Sequence, residues 1–300
     1  MKVLITGASG LVGGRLSNYL EKNKMKVVKV SRGKKNFEKI NWESKKKLKN
    51  LCRNINVIVN CAGVDVHQSR NLKNTLKVNA EFPFRLFRAA NENNVNLFIF
   101  LSTYHVYNFK NKIINEDSKT NKKDNYTRSK IIGENKLLSF KNKKTKVLII
   151  RACNLFGYPY YKNNNCWNLI INSMIKDLIL KKKFTIKSKF NVYRYYSSVS
   201  NFCNFLKKIL DNEENLMIKK DKEIINFTSD KSLNLRSLVS YMKKTRLFKK
   251  SKIIFQNKLI LKKKIYFSSK FANKFYNKKD KFFLDEVKKI KLYVRKNFNK

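Results

Sequence analysis

The 300-residue sequence predicts an α/β protein, a doubly wound parallel sheet followed by a smaller α+β part. Three observations carry this prediction. Short apolar runs rich in Val and Ile alternate with helix-length amphipathic stretches through the first half of the chain. Runs that are apolar throughout, rather than on alternate residues, suit strands covered on both faces, as in a parallel sheet. Four of the chain's 8 glycines (Gly7, Gly10, Gly13 and Gly14) sit together where the first strand must turn into the first helix. After Pro159 there is neither glycine nor proline, so the punctuation that organises the first half stops there.

Taken in order, strands are expected at 2–6 (KVLIT), 26–31 (KVVKVS), 57–62 (VIVNCA), 97–102 (LFIFLS) and 146–153 (KVLIIRAC). Helices are expected near 11–23, 43–54, 74–94, 124–141 and 166–182. Right-handed crossovers then place these helices on both faces of one sheet. In the second half FTIKSKF, EIINFTS and KIIFQ read as short strands, and SLNLRSLVSYMKK as a helix capped by Ser232. Asn takes many of the turn positions there.

Hydrophobic residues at 42% and aromatics at 13% argue for a packed core rather than disorder. The chain opens directly on a strand, without the pattern of a signal peptide, and no apolar run approaches the ~18 residues of a membrane span. A cytoplasmic protein is expected. The five cysteines (52, 61, 153, 166 and 203) form no CxxC pair, and His67 and His105 are the only histidines, so no metal site is expected. The net charge of +49 comes from basic runs dispersed at 45–47, 141–144, 181–183 and 262–264. With abundant Lys, Asn, Ile, Phe and Tyr, this is the composition of an AT-rich coding sequence. It reads as solvated lysine, with no specific nucleic-acid partner expected. The positive field still attracts anionic substrates such as nucleotides, and salt weakens it.

The glycines follow the pattern GxxGxxG at Gly7, Gly10 and Gly13. Between a strand and a helix, glycine permits the tight turn, the approach of backbone N–H groups to a pyrophosphate, and close helix–strand packing. The helix N-terminus supplies partial positive charge. At the end of the second strand, where a carboxylate would bond the ribose of NAD, stand Ser31 and Arg32, followed by Lys34 and Lys35. A serine and an arginine there suit a 2′-phosphate, so NADP is favoured over NAD.

Tyr126 and Lys130, in YTRSK, are four apart on one helix face. A phenol that shuttles protons at neutral pH needs its pKa lowered by about 3 units, roughly 4 kcal/mol, and a neighbouring ammonium supplies about 1–3 of them. Ser102 and Thr103 close the fourth strand at the carboxyl edge of the sheet, where folds of this class bind ligands. A hydroxyl there can bond the reacting oxygen of a substrate beside Tyr126.

With these motifs in hand the chain resembles an extended short-chain dehydrogenase/reductase of the NAD-dependent epimerase/dehydratase group, which modifies nucleotide sugars on a Rossmann fold. The matching stretches are TGASGLVG, VIVNCAG, KVNAEFPFRLFRAA, FIFLSTYHVY, YTRSK, RACNLFG and YRYYSSV, in the family's order from Thr6 to about Val199. The resemblance implies that Tyr126 is the general acid/base, Lys130 its partner and Thr103 the catalytic hydroxyl. It implies a cofactor site at Gly7, Ser9, Gly10, Leu11, Val12, Gly13, Ser31, Arg32, Asn41, Cys61, Ala62 and Gly63, completed by Tyr126 and Lys130. Substrate contacts are expected from Ser102, Tyr104, His105, Asn154 and Arg194, the last two at the diphosphate. Asn79 is expected to be structural. The implied division is a dinucleotide-binding domain at 1–158 and a substrate-binding region at 159–300, with 190–212 returning to the first. A homodimer through a helical face is also implied.

There are departures. Where the family's dehydratases carry an Asp–Glu pair, this chain has Tyr104 and His105, which disfavours 4,6-dehydration. Tyr195 and Asn201 replace two further family aspartates, Asn41 replaces the aspartate of the adenine pocket, and Asn108 replaces a glycine. The expected activity is hydride transfer at a sugar carbon, C4, by a reductase or an epimerase. The alternatives are a non-catalytic dinucleotide-binding scaffold and a nucleic-acid-binding protein on the same fold.

Overall fold

The structure is a computed structural model. It describes residues 1–32, 37–39, 42–141, 144–162, 164–211, 221–230, 232–245, 247–248, 250–269 and 280–298.

The apolar runs of the first half form the centre of a seven-stranded sheet. Its strands are β1 (Lys2–Thr6), β2 (Lys26–Ser31), β3 (Glu38–Lys39), β4 (Val57–Asn60), β5 (Leu97–Thr103), β7 (Lys146–Ala152) and β12 (Lys222–Phe227). They lie in the order β12–β7–β5–β4–β1–β2–β3, every neighbouring pair parallel. The order reverses between β1 and β4, and that reversal opens a crevice at the carboxyl ends of the strands.

Burial explains why these runs are apolar throughout. Val3, Ile5, Val57, Val59, Ile99, Leu148 and Ile150 pack into one core with Leu16 and Leu20 of α1 (Leu11–Lys22) and Phe202 and Leu206 of α7 (Val199–Asp211). The residues between them, Leu4, Ile58, Phe98, Phe100, Val147 and Ile149, pack into a second core. There they meet Leu48 of α2 (Lys45–Leu51), Leu86 and Phe87 of α4 (Phe82–Glu92), and Leu137 of α5 (Asn125–Ser139). The central strands β1, β4, β5 and β7 are thus buried on both faces.

The helix expected at 74–94 is interrupted. It consists of α3 (Leu72–Leu76), a π turn at Lys77–Glu81, and α4. Pro83 has no N–H to give the carbonyl of Asn79 four residues earlier, so the regular bond is missing there. The turn buries Asn79 completely. Its amide accepts from Val64 N (2.9 Å) and donates to Val64 O (3.2 Å) and Ser129 Oγ (3.0 Å), fixing the loop after β4 against α5.

The remainder forms a smaller layer. β8 (Asn154–Phe156), β11 (Arg194–Ser198) and β13 (Ser232–Leu233) make a three-stranded sheet, and β9 (Lys183–Ile186) pairs with β14 (Lys252–Phe255). β10 (Phe190–Asn191) pairs with β15 (Ile260–Leu261), and β6 (Ile113–Ile114) with β16 (Tyr266–Phe267). A third core joins α6 (Ile170–Leu180), α8 (Leu235–Lys244) and α9 (Phe283–Phe298). FTIKSKF is therefore two short strands rather than one.

Two features of the second half differ from expectation. Ser232 does not cap α8: it belongs to β13, paired opposite Tyr195, and Asn234 is the cap, accepting from Ser237 N at 2.8 Å. The strand at 222–227 is not part of the outer layer. It pairs with β7 over six residues and forms the edge of the main sheet. α7 lies on α1 through the first core; residue 212 is outside the described residues.

The C-terminal helix is fastened to the first helix by a buried ion pair. Arg15 on α1 donates to Glu286 on α9 at 2.6 and 3.2 Å. Glu286 also accepts from Ser200 Oγ (2.5 Å) and Tyr158 N (3.3 Å), and the guanidinium lies 3.8 Å from the Tyr158 ring centroid.

Candidate functional site

A cleft of about 1040 Å³ follows the carboxyl ends of the main strands. One end is the glycine turn. Gly7 has φ +63°, which L side chains rarely adopt, and a Cβ there would lie 2.7 Å from Ala62 N. A Cβ on Gly13 would lie 2.4 Å from Gly7 O. Glycine thus brings three backbone segments together and leaves the turn bare of side chains. α1 begins at Gly10 with no side-chain cap and no acidic residue in its first turn. Such a helix terminus suits an anion.

Ser9, Leu11 and Val12 line this end, with Ser31 and Arg32 from the end of β2. Ser31 Oγ is 2.7 Å from Ser9 Oγ, tying the second strand to the turn, and Arg32 is exposed. Asn41, expected at the same end, lies outside the described residues, as do Lys34 and Lys35. Cys61, Ala62 and Gly63 form the floor. Thr6 Oγ1 holds that floor, accepting from Ala62 N (3.2 Å) and donating to Asn60 Oδ1 (2.8 Å). Burial pushes the Cys61 thiol up to about 12, so it carries no charge at neutral pH.

At mid-cleft α5 presents Tyr126 and Lys130. A capping box places the helix start: Asp124 Oδ1 accepts from Thr127 N at 2.7 Å and Thr127 Oγ1 accepts from Asp124 N at 3.2 Å. Burial raises the Tyr126 phenol to about 12, outweighing the lowering effect of the Thr103 side chain beside it. Lys130 Nζ donates to Leu101 O at 3.0 Å. Burial brings this ammonium down to about 8, against the raising charge of Glu134, so it stays largely protonated at pH 7. Ser102 also lines the cleft, but its hydroxyl points to Glu134 Oε1 at 2.5 Å. Glu134 in turn takes a forked pair from Arg151, with Nη2 at 2.6 Å. Thr103, rather than Ser102, is the hydroxyl beside Tyr126.

The far end holds His105, Asn154 and Arg194. His105 Nε2 is 3.1 Å from Asn154 Oδ1, and Asn154 Nδ2 donates to Tyr104 Oη (2.6 Å) and Tyr195 O (3.0 Å). Tyr104 itself is not a cleft residue. The 3-10 turn after β5 sends its ring inward against Phe109 and Phe267, leaving it 3% exposed, and burial drives its phenol far above the ordinary range. Tyr104 therefore supports Asn154 from behind instead of meeting substrate.

Burial, reinforced by the charge of Arg194, lowers His105 to about 4. The unfolded chain takes this proton near 6.5 and the fold only near 4, so acid destabilises the fold across that window. A His105→Gln variant is expected to lose less stability than the parent between pH 6.5 and 4, read from urea midpoints. Equal acid sensitivity of the two proteins would rule His105 out as the source.

Several cleft residues carry no motif and were not expected from sequence: Trp42, Lys123, Asn164 and Phe190. Asn164 reaches from the loop after Pro159 to Ser9 O at 3.1 Å, joining the two halves over the glycine turn. The Ser102–Glu134–Arg151 network was also unexpected. Its one signal was Glu134, four residues after Lys130 on the same helix face.

The fold is that of a doubly wound α/β protein with its cleft at the carboxyl ends of the parallel strands. A model of the NAD dependent epimerase/dehydratase family matches residues 3–226, and the chain belongs to that family. No curated protein matches it in sequence. Among solved structures, UDP-glucuronic acid 4-epimerase from Bacillus cereus, in complex with UDP-glucuronic acid and NAD, is similar with a TM-score of 0.81 at 18% identity, covering 99% of this chain and 100% of that one. MoeE5 in complex with UDP-glucose and NAD gives 0.81 at 16% identity over 100% of both chains. TunA, an NAD dependent NDP-hexosamine 5,6-dehydratase, gives 0.78 at 14% identity over 98% of both. At these identities the likeness is one of fold.

Proposed function

We propose that the protein is a nicotinamide-dinucleotide-dependent oxidoreductase or epimerase of nucleotide sugars, acting at a sugar carbon, C4. The observation that carries this reading is the placement of Thr103, Tyr126 and Lys130 in one cleft with the bare glycine turn. The residues present fit the cofactor. The turn at Gly7, Gly10 and Gly13 with the start of α1 would hold its diphosphate, Cys61–Gly63 its inner face, and Lys130 its ribose. When bound, the dinucleotide accepts and returns a hydride.

The chain's own residues do the rest. Tyr126 holds or delivers the proton at the reacting sugar oxygen, and Thr103 bonds the same oxygen as charge develops there. Lys130 supplies positive charge that offsets the effect of burial on the phenol. Asn154 and Arg194 take the substrate diphosphate, Arg194 through its planar fork. His105, held neutral, serves as a hydrogen-bond partner beside Asn154. In this reading residues 1–158 form the cofactor part and 159–300 the substrate part, apart from α7 and β12 on the main sheet.

The absence of a carboxylate after β2, with Arg32 in the cleft, supports NADP over NAD. Arg32→Ala is expected to weaken NADPH binding about tenfold to a hundredfold and to leave NADH binding unchanged, by calorimetric titration. Equal losses for both cofactors would contradict the assignment.

The function is tested by incubating the protein with UDP-glucose or UDP-glucuronic acid plus either dinucleotide in deuterated water, followed by NMR. Inversion at C4, or oxidation of the C4 alcohol to a ketone with matching reduction of the dinucleotide, is expected without solvent deuterium at C5. Deuterium at C5 with loss of water would make it a dehydratase. Dinucleotide binding without turnover of any nucleotide sugar would make it a scaffold.

A further inference from the structure

The catalytic reading leaves the charge of +49 unused. Two segments of the chain, 178–210 and 231–279, contain no acidic residue. The fold lays parts of them side by side. β14 runs parallel to β9, and β15 parallel to β10, so that 252–262 follows 183–191 as a two-stranded ribbon. Backbone bonds from Gln256 N to Ile186 O (3.0 Å) and from Lys262 N to Asn191 O (3.2 Å) hold it together.

The ribbon is seated through Phe184 and Ile186, which are buried in the third core. Elsewhere it is bare. Phe190, Ile254, Phe255, Ile260 and Leu261 are 46%, 40%, 36%, 56% and 62% exposed. Phe190 and Ile260 are register partners, so their side chains share a face. Scattered exposed apolar residues need no explanation, but five on one ribbon do. Lys187, Lys189, Lys258 and Lys262 are exposed on the same ribbon, with Lys263 exposed directly after it, and Lys262 Nζ lies 4.5 Å from the Phe190 ring centroid.

Apolar and cationic surface together, free of carboxylates, complements the interfacial zone of an anionic bilayer. Apolar side chains enter the acyl boundary while lysine stems extend their ammonium groups to headgroup phosphates. A second copy of this chain would set lysine against a partner of the same +49 charge. A single-stranded nucleic acid would use the lysines and the Phe190 and Phe255 rings, but it would leave the aliphatic Ile254, Ile260 and Leu261, the more numerous apolar side chains, without stacking partners.

We propose that this ribbon docks the protein on an anionic lipid surface. Ser188 and Phe190 also form part of the cleft lining, so docking holds that end of the cleft beside the headgroups. No helix among the described residues is long and apolar enough to cross a membrane, so the ribbon's attachment is peripheral.

The test is co-sedimentation of the full chain with vesicles of phosphatidylglycerol and phosphatidylcholine, or of phosphatidylcholine alone, at physiological ionic strength. Phe255→Ser/Ile260→Ser/Leu261→Ser, which leaves the charge unchanged, is expected to weaken binding to anionic vesicles about tenfold or more. Lys258→Gln/Lys262→Gln/Lys263→Gln is expected to do the same. Lys45→Gln/Lys46→Gln/Lys47→Gln on α2, with the same charge change, is expected to cost less than about twofold. A Leu261→Trp protein, folded by its melting curve, is expected to show a blue-shifted emission with anionic vesicles only. Wild-type binding by the apolar triple variant, or no shift from Leu261→Trp, overturns the proposal and leaves diffuse charge alone. Loss of RNA binding in the ribbon-lysine variant, with vesicle binding intact, would make the ribbon a nucleic-acid surface.

Discussion

A Tyr126→Phe protein is expected to bind its dinucleotide normally and to turn over nucleotide sugar about a hundredfold to ten-thousandfold more slowly. The phenol stands beside the Thr103 side chain in the cleft and is presented by the same helix as the Lys130 ammonium. Removing one oxygen atom leaves the ring to fill its space, so melting behaviour should stay close to the parent's. The loss is therefore expected in turnover and not in stability or cofactor affinity. Burial, with smaller raising effects from Asp65 and Asp124, sets the phenol near 12 even with Thr103 beside it, too high for proton exchange at neutral pH. Bringing it down by several units takes more than Thr103, and each unit is worth about 1.4 kcal/mol. In the proposed function Lys130, one turn further along α5, supplies positive charge once cofactor and substrate are bound, and Lys130→Met is expected to approach the Tyr126→Phe defect. Parent-level turnover by Tyr126→Phe would remove the phenol from the chemistry.

A Glu286→Leu protein is expected to lose about 3–5 kcal/mol of stability, because it leaves the Arg15 guanidinium buried without its carboxylate. Arg15 is 7% and Glu286 1% exposed, and Ser200 Oγ and Tyr158 O are the remaining partners of the guanidinium. The pair's net worth is much smaller than this loss, since taking both charges out of water is costly. The double variant Arg15→Met/Glu286→Leu is therefore expected to recover most of the stability. Urea unfolding of the parent, the single variant and the double variant reads this directly. A single-variant loss under about 1 kcal/mol, in the range of a surface pair, would contradict a buried clamp between α1 and α9.

Legibility varied along the chain for physical reasons. The main sheet is legible because its central strands are buried on both faces, which forces unbroken apolar runs such as LFIFLST. The glycine turn could be read because Gly7 and Gly13 stand where no Cβ fits. Tyr126 and Lys130 could be placed on one face because a spacing of four is a property of any helix. The edge strand at 222–227 was recognised as a strand, but its partner was not, since pairing with β7 is a long-range choice that leaves no local mark. The π turn arises from Pro83 acting on Asn79, a backbone effect hidden inside a helical pattern. The orientations of Tyr104 and Ser102 are not legible, because sequence places a residue at a strand end without saying which way its side chain turns. One turns into the aromatic core and the other toward Glu134. The Arg15–Glu286 pair joins residues at opposite ends of the chain and left no trace in the pattern of either helix.

The central claim is that a dinucleotide rests its phosphates on the opening turn with its nicotinamide beside Tyr126. It is tested most directly by a crystal structure of the protein with a nicotinamide dinucleotide. The account predicts phosphate oxygens within hydrogen-bond distance of the backbone N–H groups of Leu11 and Val12, ribose hydroxyls at Lys130, and the nicotinamide ring against the Tyr126 hydroxyl. Density for the dinucleotide anywhere other than along Gly7–Gly13, or a nicotinamide remote from Tyr126, would contradict it.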